Sequence, residues 1–300
     1  MQIRTYETGP HTAEAPPDHV QIQTVTGCNA RCIFCPNGKT DPHVPMGRRM
    51  DDALFRRIVD QCVELGVRRY SAYLMNEPLL DRDLPRRIAY IAARIRKPQY
   101  VKVTSHGGLL TGRMARGLLD SGLKKLKISI QSLDPATYRR IMGLKLERTL
   151  ANIDRFLELR EQGGYKLPRL EVVMVDSVHT HHEIEHARRY WARRGIRLFV
   201  EPVENRADQQ NIRTAAVGAD RLQPYTWCRR LMEQIYILHD GRMLQCCADW
   251  EHRSVMGDLT QQPLADVWYG SRYRKLRRRF SAGDVGGMIC SNCLKQKPAS

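Results

Sequence analysis

Residues 19–26 (HVQIQTVT) alternate apolar and polar side chains, the period of a half-buried strand. Over 52–65 the spacing becomes helical, with Leu54, Phe55, Ile58, Val59 and Cys62 on one face. The two periods then take turns. Strands are expected at 69–74, 100–104, 126–130, 169–175 and 196–200, and helices at 83–96, 111–119, 134–142, 149–162 and 183–194. Strand followed by helix about six times in roughly 200 residues predicts an α/β fold, a parallel sheet with crossover helices. Such a sheet curls into a full or partial barrel, whose chemistry sits on loops after the carboxyl ends of the strands.

The pattern changes after about residue 207. Residues 207–224 are polar and loop-like, 234–246 read as a short hairpin turning at Gly241, and 263–268 as a helix. A basic run at 272–279 (RYRKLRRR) follows, read as a solvated helical face, and the region closes on Cys290 and Cys293. So small a region needs a staple such as a metal site to stay folded.

Composition narrows the class. With 300 residues, 42% hydrophobic and 27% charged, the chain is long and apolar enough for a core, which excludes a disordered or fibrous protein. No apolar run reaches the roughly 18 residues of a spanning helix. Residues 1–17 lack the apolar stretch of a secretory signal, so a cytoplasmic protein is expected. The net charge of +17 permits an anionic partner, but no separate RNA-binding module is visible and nucleic acid is not expected.

The nine cysteines are Cys28, Cys32, Cys35, Cys62, Cys228, Cys246, Cys247, Cys290 and Cys293. Without an export signal, metal or cluster ligation is a better reading than disulfides. Cys28, Cys32 and Cys35 share one loop after the first strand. Three thiolates there can hold three irons of a four-iron cluster and leave the fourth open to a substrate, whereas electron-transfer clusters use four cysteines. A zinc site would need a fourth ligand. Cys62, on the apolar face of a helix, reads as a buried hydrophobe.

Cys28-x3-Cys32-x-Phe34-Cys35 resembles the signature of the radical SAM superfamily. The resemblance implies a partial (β/α)6 barrel, a [4Fe-4S] cluster on the three cysteines, and S-adenosylmethionine (SAM) cleaved to a 5′-deoxyadenosyl radical. It extends over about 18–207. Asn76-Glu77-Pro78 stands where the family has Gly-Gly-Glu-Pro, with Glu77 as the residue for the methionine amine. Ser105-His106-Gly107 stands for Thr-Asn-Gly. Ser129 matches the Ser-Ile-Asp strand end, with Gln131 in place of the acid. Asn205 lies in the segment that approaches adenosine. Phe34, Asn76, Glu77, Ser105, Ser129 and Asn205 are thus the implied cofactor contacts.

The late cysteines resemble the twitch form of the SPASM extension, a small α+β domain. The resemblance implies Cys228, Cys246, Cys290 and Cys293 as ligands of one auxiliary [4Fe-4S] cluster, the second in the chain, with domains at 1–207 and 208–300. It leaves Cys247 over. Successive strand side chains point opposite ways, so Cys246 and Cys247 are expected to face different environments. Cys247 is then a free thiol able to donate a hydrogen atom; the alternatives are plain packing or exchanged roles.

In plan the chain is similar to the radical SAM enzymes of aminoglycoside assembly that carry a single auxiliary cluster. This implies an epimerase of the neomycin C to neomycin B type, inverting C5‴, with Cys247 catalytic. A dehydrogenase of an aminocyclitol alcohol and an RNA- or peptide-modifying enzyme are the alternatives. The implied partners are the aminoglycoside and an external reductant of flavodoxin or ferredoxin type. Asp176, Glu201, Glu204 and Asp249 are the candidate acids for a polycationic substrate. His179, His181 and His182 read as polar loop residues.

Overall fold

The computed structural model describes residues 15–36, 45–207, 215–217, 222–225 and 227–296. The N-terminal segment read as lacking a signal lies mostly outside them, as does much of the polar stretch at 208–221. Strand β1 (His19–Ile22) is followed by α1 (Asp52–Glu64), β2 (Arg69–Ser71), α2 (Leu84–Ala92), β3 (Tyr100–Ser105), α3 (Gly112–Asp120) and β4 (Lys125–Ser129). Two helices, α4 (Pro135–Met142) and α5 (Leu146–Gln162), precede β5 (Arg169–Asp176), α6 (Ile184–Arg193) and β6 (Arg197–Pro202). Each expected element is present, with ends shifted by a few residues.

Strands β1 to β6 pair in chain order and all run parallel. The sheet does not close on itself. Instead β8 (Gln234–Ile237) adds to the free edge of β1 in parallel, and β9 (Arg242–Leu244) and β10 (Val255–Asp258) continue it antiparallel, giving nine strands in one sheet. The C-terminal segment therefore extends the barrel sheet through the expected hairpin. A second ladder pairs β7 (Leu222–Pro224) with β11 (Leu294–Gln296). Short helices α7 (Arg229–Glu233) and α8 (Leu264–Trp268) and the longer α9 (Ser271–Ser281) complete the chain.

Alternation separates the two faces of the sheet. Val101, Val103, Leu126 and Ile128 point to the helices and are buried. They belong to the same core as the buried stripe of α1, Leu54, Phe55, Ile58, Val59 and Cys62. Each large apolar side chain so buried contributes about 1.5–3 kcal/mol. Cys62 is core, as read. The opposite register positions, Lys102, Thr104, Lys127 and Ser129, share the concave face. There Tyr73 Oη lies 2.8 Å from Thr104 Oγ1, and Lys127 Nζ 3.2 Å from Glu201 Oε1.

The basic run is α9, and one of its arginines departs from the expectation of a solvated face. Arg277 is buried against the Trp268 ring and donates to the carbonyls of Trp268 and Leu231. Among the described residues no helix is long and apolar enough to cross a membrane.

Candidate active site

The loop carrying Cys28, Cys32 and Cys35 leaves β1 and is bolted to the end of α4. Arg31 N donates to Met142 O and Ile33 N to Ile141 O, both at 2.9 Å. Gly143 ends α4 in the left-handed region (φ 68°), and a Cβ there would stand 3.2 Å from Arg31 Cβ, so a glycine lets the loop approach. The three thiols are half-buried. Burial pushes Cys28 and Cys32 up to about 12, and the neighbouring thiols and Glu77 act the same way. Phe34 packs on the core with its ring 6.2 Å from that of His179.

Glu77 is buried beside this loop. Its Oε1 accepts from Leu79 N (3.0 Å) and Ser105 Oγ (2.6 Å), and its Oε2 accepts from His106 N (3.0 Å) with His106 Nε2 at 3.3 Å. Those contacts use the carboxylate's lone pairs. Ser105 Oγ is occupied too, since it also accepts from Gly107 N. Glu77 and Ser105, read as cofactor contacts, here fasten the loops after β2 and β3 to each other. Asn76 keeps a buried amide, Nδ2, without a hydrogen-bond partner among the described residues. Ser129 stands at the carboxyl end of β4 on the concave face.

Asn205 has a partner in the C-terminal segment. Its Nδ2 donates to Asn292 O at 2.5 Å, which ties the loop after β6 to the turn between Cys290 and Cys293. In the same loop Glu204 is paired with Arg230 and Arg206. Burial opposes ionisation of Glu204, and the two guanidiniums outweigh it, holding the carboxyl at about 2. Asp249 is buried and accepts from Arg253 N and Ser254 N, so it closes its own loop and does not face a substrate. Asp176 meets His181, and Glu201 is 56% exposed beside Lys127.

Four thiols surround a second space. Cys228, Cys246, Cys290 and Cys293 line a cavity together with Arg230, Gln245 and Phe280. Each sulfur faces an N–H donor. Cys228 has the backbone amides of Leu231 and Arg230 at the start of α7, and Cys293 that of Ala207. Cys246 Sγ accepts from Ala248 N at 3.4 Å and Cys290 Sγ from Gln245 Nε2 at 3.1 Å. Donors of this kind stabilise cluster-bound thiolates. Among the described residues no group of three or more His, Cys, Asp or Glu closes tightly enough for a single metal ion. Thiols ranged around a cavity fit a multi-iron cluster better than a tetrahedral zinc, whose sulfurs sit about 2.3 Å from the metal.

Cys247 is not in that cavity wall. It packs with Cys35 against an apolar cluster of Met75, Tyr236, Leu238, Leu244 and Trp250. The route to this differs from the one expected. Strand β9 stops at Leu244, so Cys246 and Cys247 lie in the turn beyond it and strand alternation does not separate them. The turn does, setting Cys246 in the cavity wall and Cys247 against the apolar cluster. The interaction between the two thiols lowers Cys247 and raises Cys246; burial opposes the first shift and Arg230 supports it. A Cys246 bound to iron has no proton to donate, and burial then favours the protonated Cys247 thiol. Trp250 Nε1, in the same cluster, is a buried donor without a partner among the described residues.

The family model of the radical SAM superfamily matches residues 22–165, and that of an iron–sulfur cluster-binding SPASM domain matches 228–294. The chain carries a radical SAM domain followed by a SPASM domain. The radical SAM domain implies a [4Fe-4S] cluster and SAM, and the SPASM domain auxiliary iron–sulfur clusters. Each match falls on one of the two thiol sets. Among curated proteins, the radical SAM part is similar to the GTP 3′,8-cyclase of Tolumonas auensis, 32% identical over 54% of this chain and 46% of the relative. A probable GTP 3′,8-cyclase of Methanococcus maripaludis is 33% identical over 44% of this chain and 43% of its own. The chain thus spans less than half the length of these relatives. The fold resembles that of BtrN in complex with AdoMet and 2-DOIA, with a TM-score of 0.61, 18% identity and 92% of each chain covered. It also resembles Streptococcus suis SuiB bound to precursor peptide SuiA, with a TM-score of 0.71, 17% identity, and 88% of this chain and 67% of that one covered.

Proposed function

We propose that this radical SAM chain is an epimerase that inverts one sugar carbon, C5‴ of an aminoglycoside of the neomycin C type. The observation that carries the reading is the place of Cys247: outside the four-thiol cavity whose wall holds its neighbour Cys246, and against the same apolar cluster that Cys35 packs on. In this reading Cys28, Cys32 and Cys35 hold the SAM-binding cluster, and Cys228, Cys246, Cys290 and Cys293 hold the auxiliary one. When bound, SAM and the first cluster supply a 5′-deoxyadenosyl radical that takes a hydrogen atom from the substrate carbon.

The chain's own residues do the rest. The Cys247 S–H gives its hydrogen atom to the carbon radical from the opposite face, which inverts the centre. The sulfur left behind needs one electron and one proton, and an external one-electron reductant balances the cycle. The apolar wall of Met75, Leu238, Leu244 and Trp250 keeps water from the thiol. Asp176 and Glu201, at the carboxyl ends of β5 and β6, are the acids left to meet substrate ammonium groups.

Two observations favour other substrates. The 92% mutual coverage with BtrN supports oxidation of an aminocyclitol alcohol, and the 32% identity to a GTP 3′,8-cyclase supports GTP. One experiment separates the three. Reconstituted protein is incubated anaerobically in deuterated buffer with SAM, reductant and each substrate in turn. The epimerase reading expects an inverted aminoglycoside carrying one deuterium, and Cys247→Ala forming 5′-deoxyadenosine without inverted product. A ketone product, a cyclised GTP, or unchanged deuterium incorporation by Cys247→Ala would overturn it.

A further inference from the structure

Many exposed arginines on the barrel helices are neutralised. Arg56 and Arg86 share Asp52, Arg94 meets Asp60, Arg188 meets Glu185 and Arg194 meets Asp154. Arg113 and Arg116 on α3 and Arg189 and Arg193 on α6 are exposed without an ion pair among the described residues, and α9 gathers more such cations, four of them on a helix with no acid. Arg272, Arg274, Lys275 and Arg278 are exposed, and none forms an ion pair among the described residues. Arg274 and Arg278 stand one turn apart, where like charges repel, and α9 holds no acid to relieve them. Nothing in the fold is gained by that stripe.

What lies behind it gives it a use. The opposite face of α9 buries Tyr273, Arg277 and Phe280. Tyr273 Oη donates to Leu244 O at 3.0 Å, Arg277 Nε to Leu231 O at 3.4 Å, and Phe280 lines the four-thiol cavity. A helix with its side chains is about 10–12 Å across, so the cationic stripe lies about one helix diameter from the cavity.

We propose that Arg272, Arg274, Lys275 and Arg278 form the docking surface for an acidic one-electron carrier protein of flavodoxin or ferredoxin kind, seated over the four-thiol cavity. The reduced carrier is oxidised by one electron, the iron–sulfur centre of the SPASM domain is reduced by one, and no atom is transferred. Charge complementarity steers such encounters and makes them salt-dependent. A nucleic acid is a poorer occupant, because the stripe has no exposed aromatic to stack a base. The inference rests on the radical SAM and SPASM domains and not on the epimerase reading.

The test uses anaerobically reconstituted full-length protein and a bacterial flavodoxin as the probe. Binding is measured by flavin fluorescence at low and high salt for the wild type, for R274E/K275E, and for R188E/R189E on α6 as a control. Cleavage of SAM is followed with flavodoxin and, separately, with dithionite. The proposal expects R274E/K275E to weaken flavodoxin binding at least tenfold at low salt, the control to change it less than twofold, and dithionite-driven cleavage to stay at the wild-type rate. Equal binding by wild type and R274E/K275E, equal weakening by the control, or loss of the dithionite reaction would overturn it. So would tighter binding of an RNA oligonucleotide than of flavodoxin at the same stripe.

Discussion

Cys35 and Cys247 pack against one apolar cluster, although one belongs to the loop after β1 and the other to the turn after β9. The shared cluster links the loop of one thiol set to the turn of the other. It exists because β8 adds to the edge of β1 and carries the β8–β9 hairpin to the mouth of the barrel.

The cysteines sort by iron content. Replacing Cys28, Cys32 or Cys35 with alanine, or Cys228, Cys246, Cys290 or Cys293, is expected to remove about half of the bound iron, the share of one of two four-iron clusters. Cys247→Ala and Cys62→Ala are expected to keep all of it. Cys62→Ala costs about 1 kcal/mol of stability, as a typical core truncation does. Iron analysis and thermal unfolding of the nine variants check this, and iron loss in Cys247→Ala with retention in Cys246→Ala would exchange their roles.

Glu77 fastens two loops through four contacts. Glu77→Gln turns an acceptor into a donor among donors. It is expected to lose about 1.5–3 kcal/mol, the worth of a hydrogen bond to a charged group, and to weaken SAM binding as the loops part. Unfolding curves and equilibrium dialysis read the two effects. Weaker SAM binding at unchanged stability would return Glu77 to a direct contact with the methionine amine.

Asn205→Ala breaks the bond to Asn292 O. The expected cost is about 0.5–1.5 kcal/mol, the net worth of an ordinary hydrogen bond, with faster loss of iron to a chelator from the C-terminal set. SAM affinity is expected to stay level. A fall in SAM affinity with iron retained would place Asn205 at the adenosine instead.

Burial holds His19 well below the ordinary imidazole value of 6.5, and the Lys102 and Arg69 charges add to it. Its ring lies 2.8 Å from Ser71 Oγ. Below pH 6.5 the unfolded chain binds a proton at His19 that the fold refuses, so stability falls with pH by up to about 1.4 kcal/mol per unit. Above pH 6.5 this contribution is constant. His19→Gln is expected to remove that part of the acid slope in denaturant titrations at pH 5 to 8. Parallel curves for variant and wild type would show that His19 is protonated in the fold.

Much of this was legible in the chain. Alternation at 19–26 and helical spacing at 52–65 follow from backbone geometry alone, and the order β1 to β6 follows from right-handed crossovers. The spacing of Cys28, Cys32 and Cys35 marks one loop because three ligands so close cannot span two elements. What the chain did not show are partners distant in sequence. Asn205 reaches Asn292, Glu77 reaches Ser105, and Arg277 turns inward to Trp268 among arginines that face water. Pattern reports a residue's own face and not what another segment brings to it.

The sequence by itself determined the elements, their parallel order and the two groups of cysteines, because these depend on local periodicity and on ligand chemistry. Tertiary structure alone decided which thiol of the Cys246 and Cys247 pair looks into the cavity. Both lie in a turn where backbone dihedrals, not strand alternation, aim the side chains, and the cavity wall comes from α7, α9 and the Cys290–Cys293 turn.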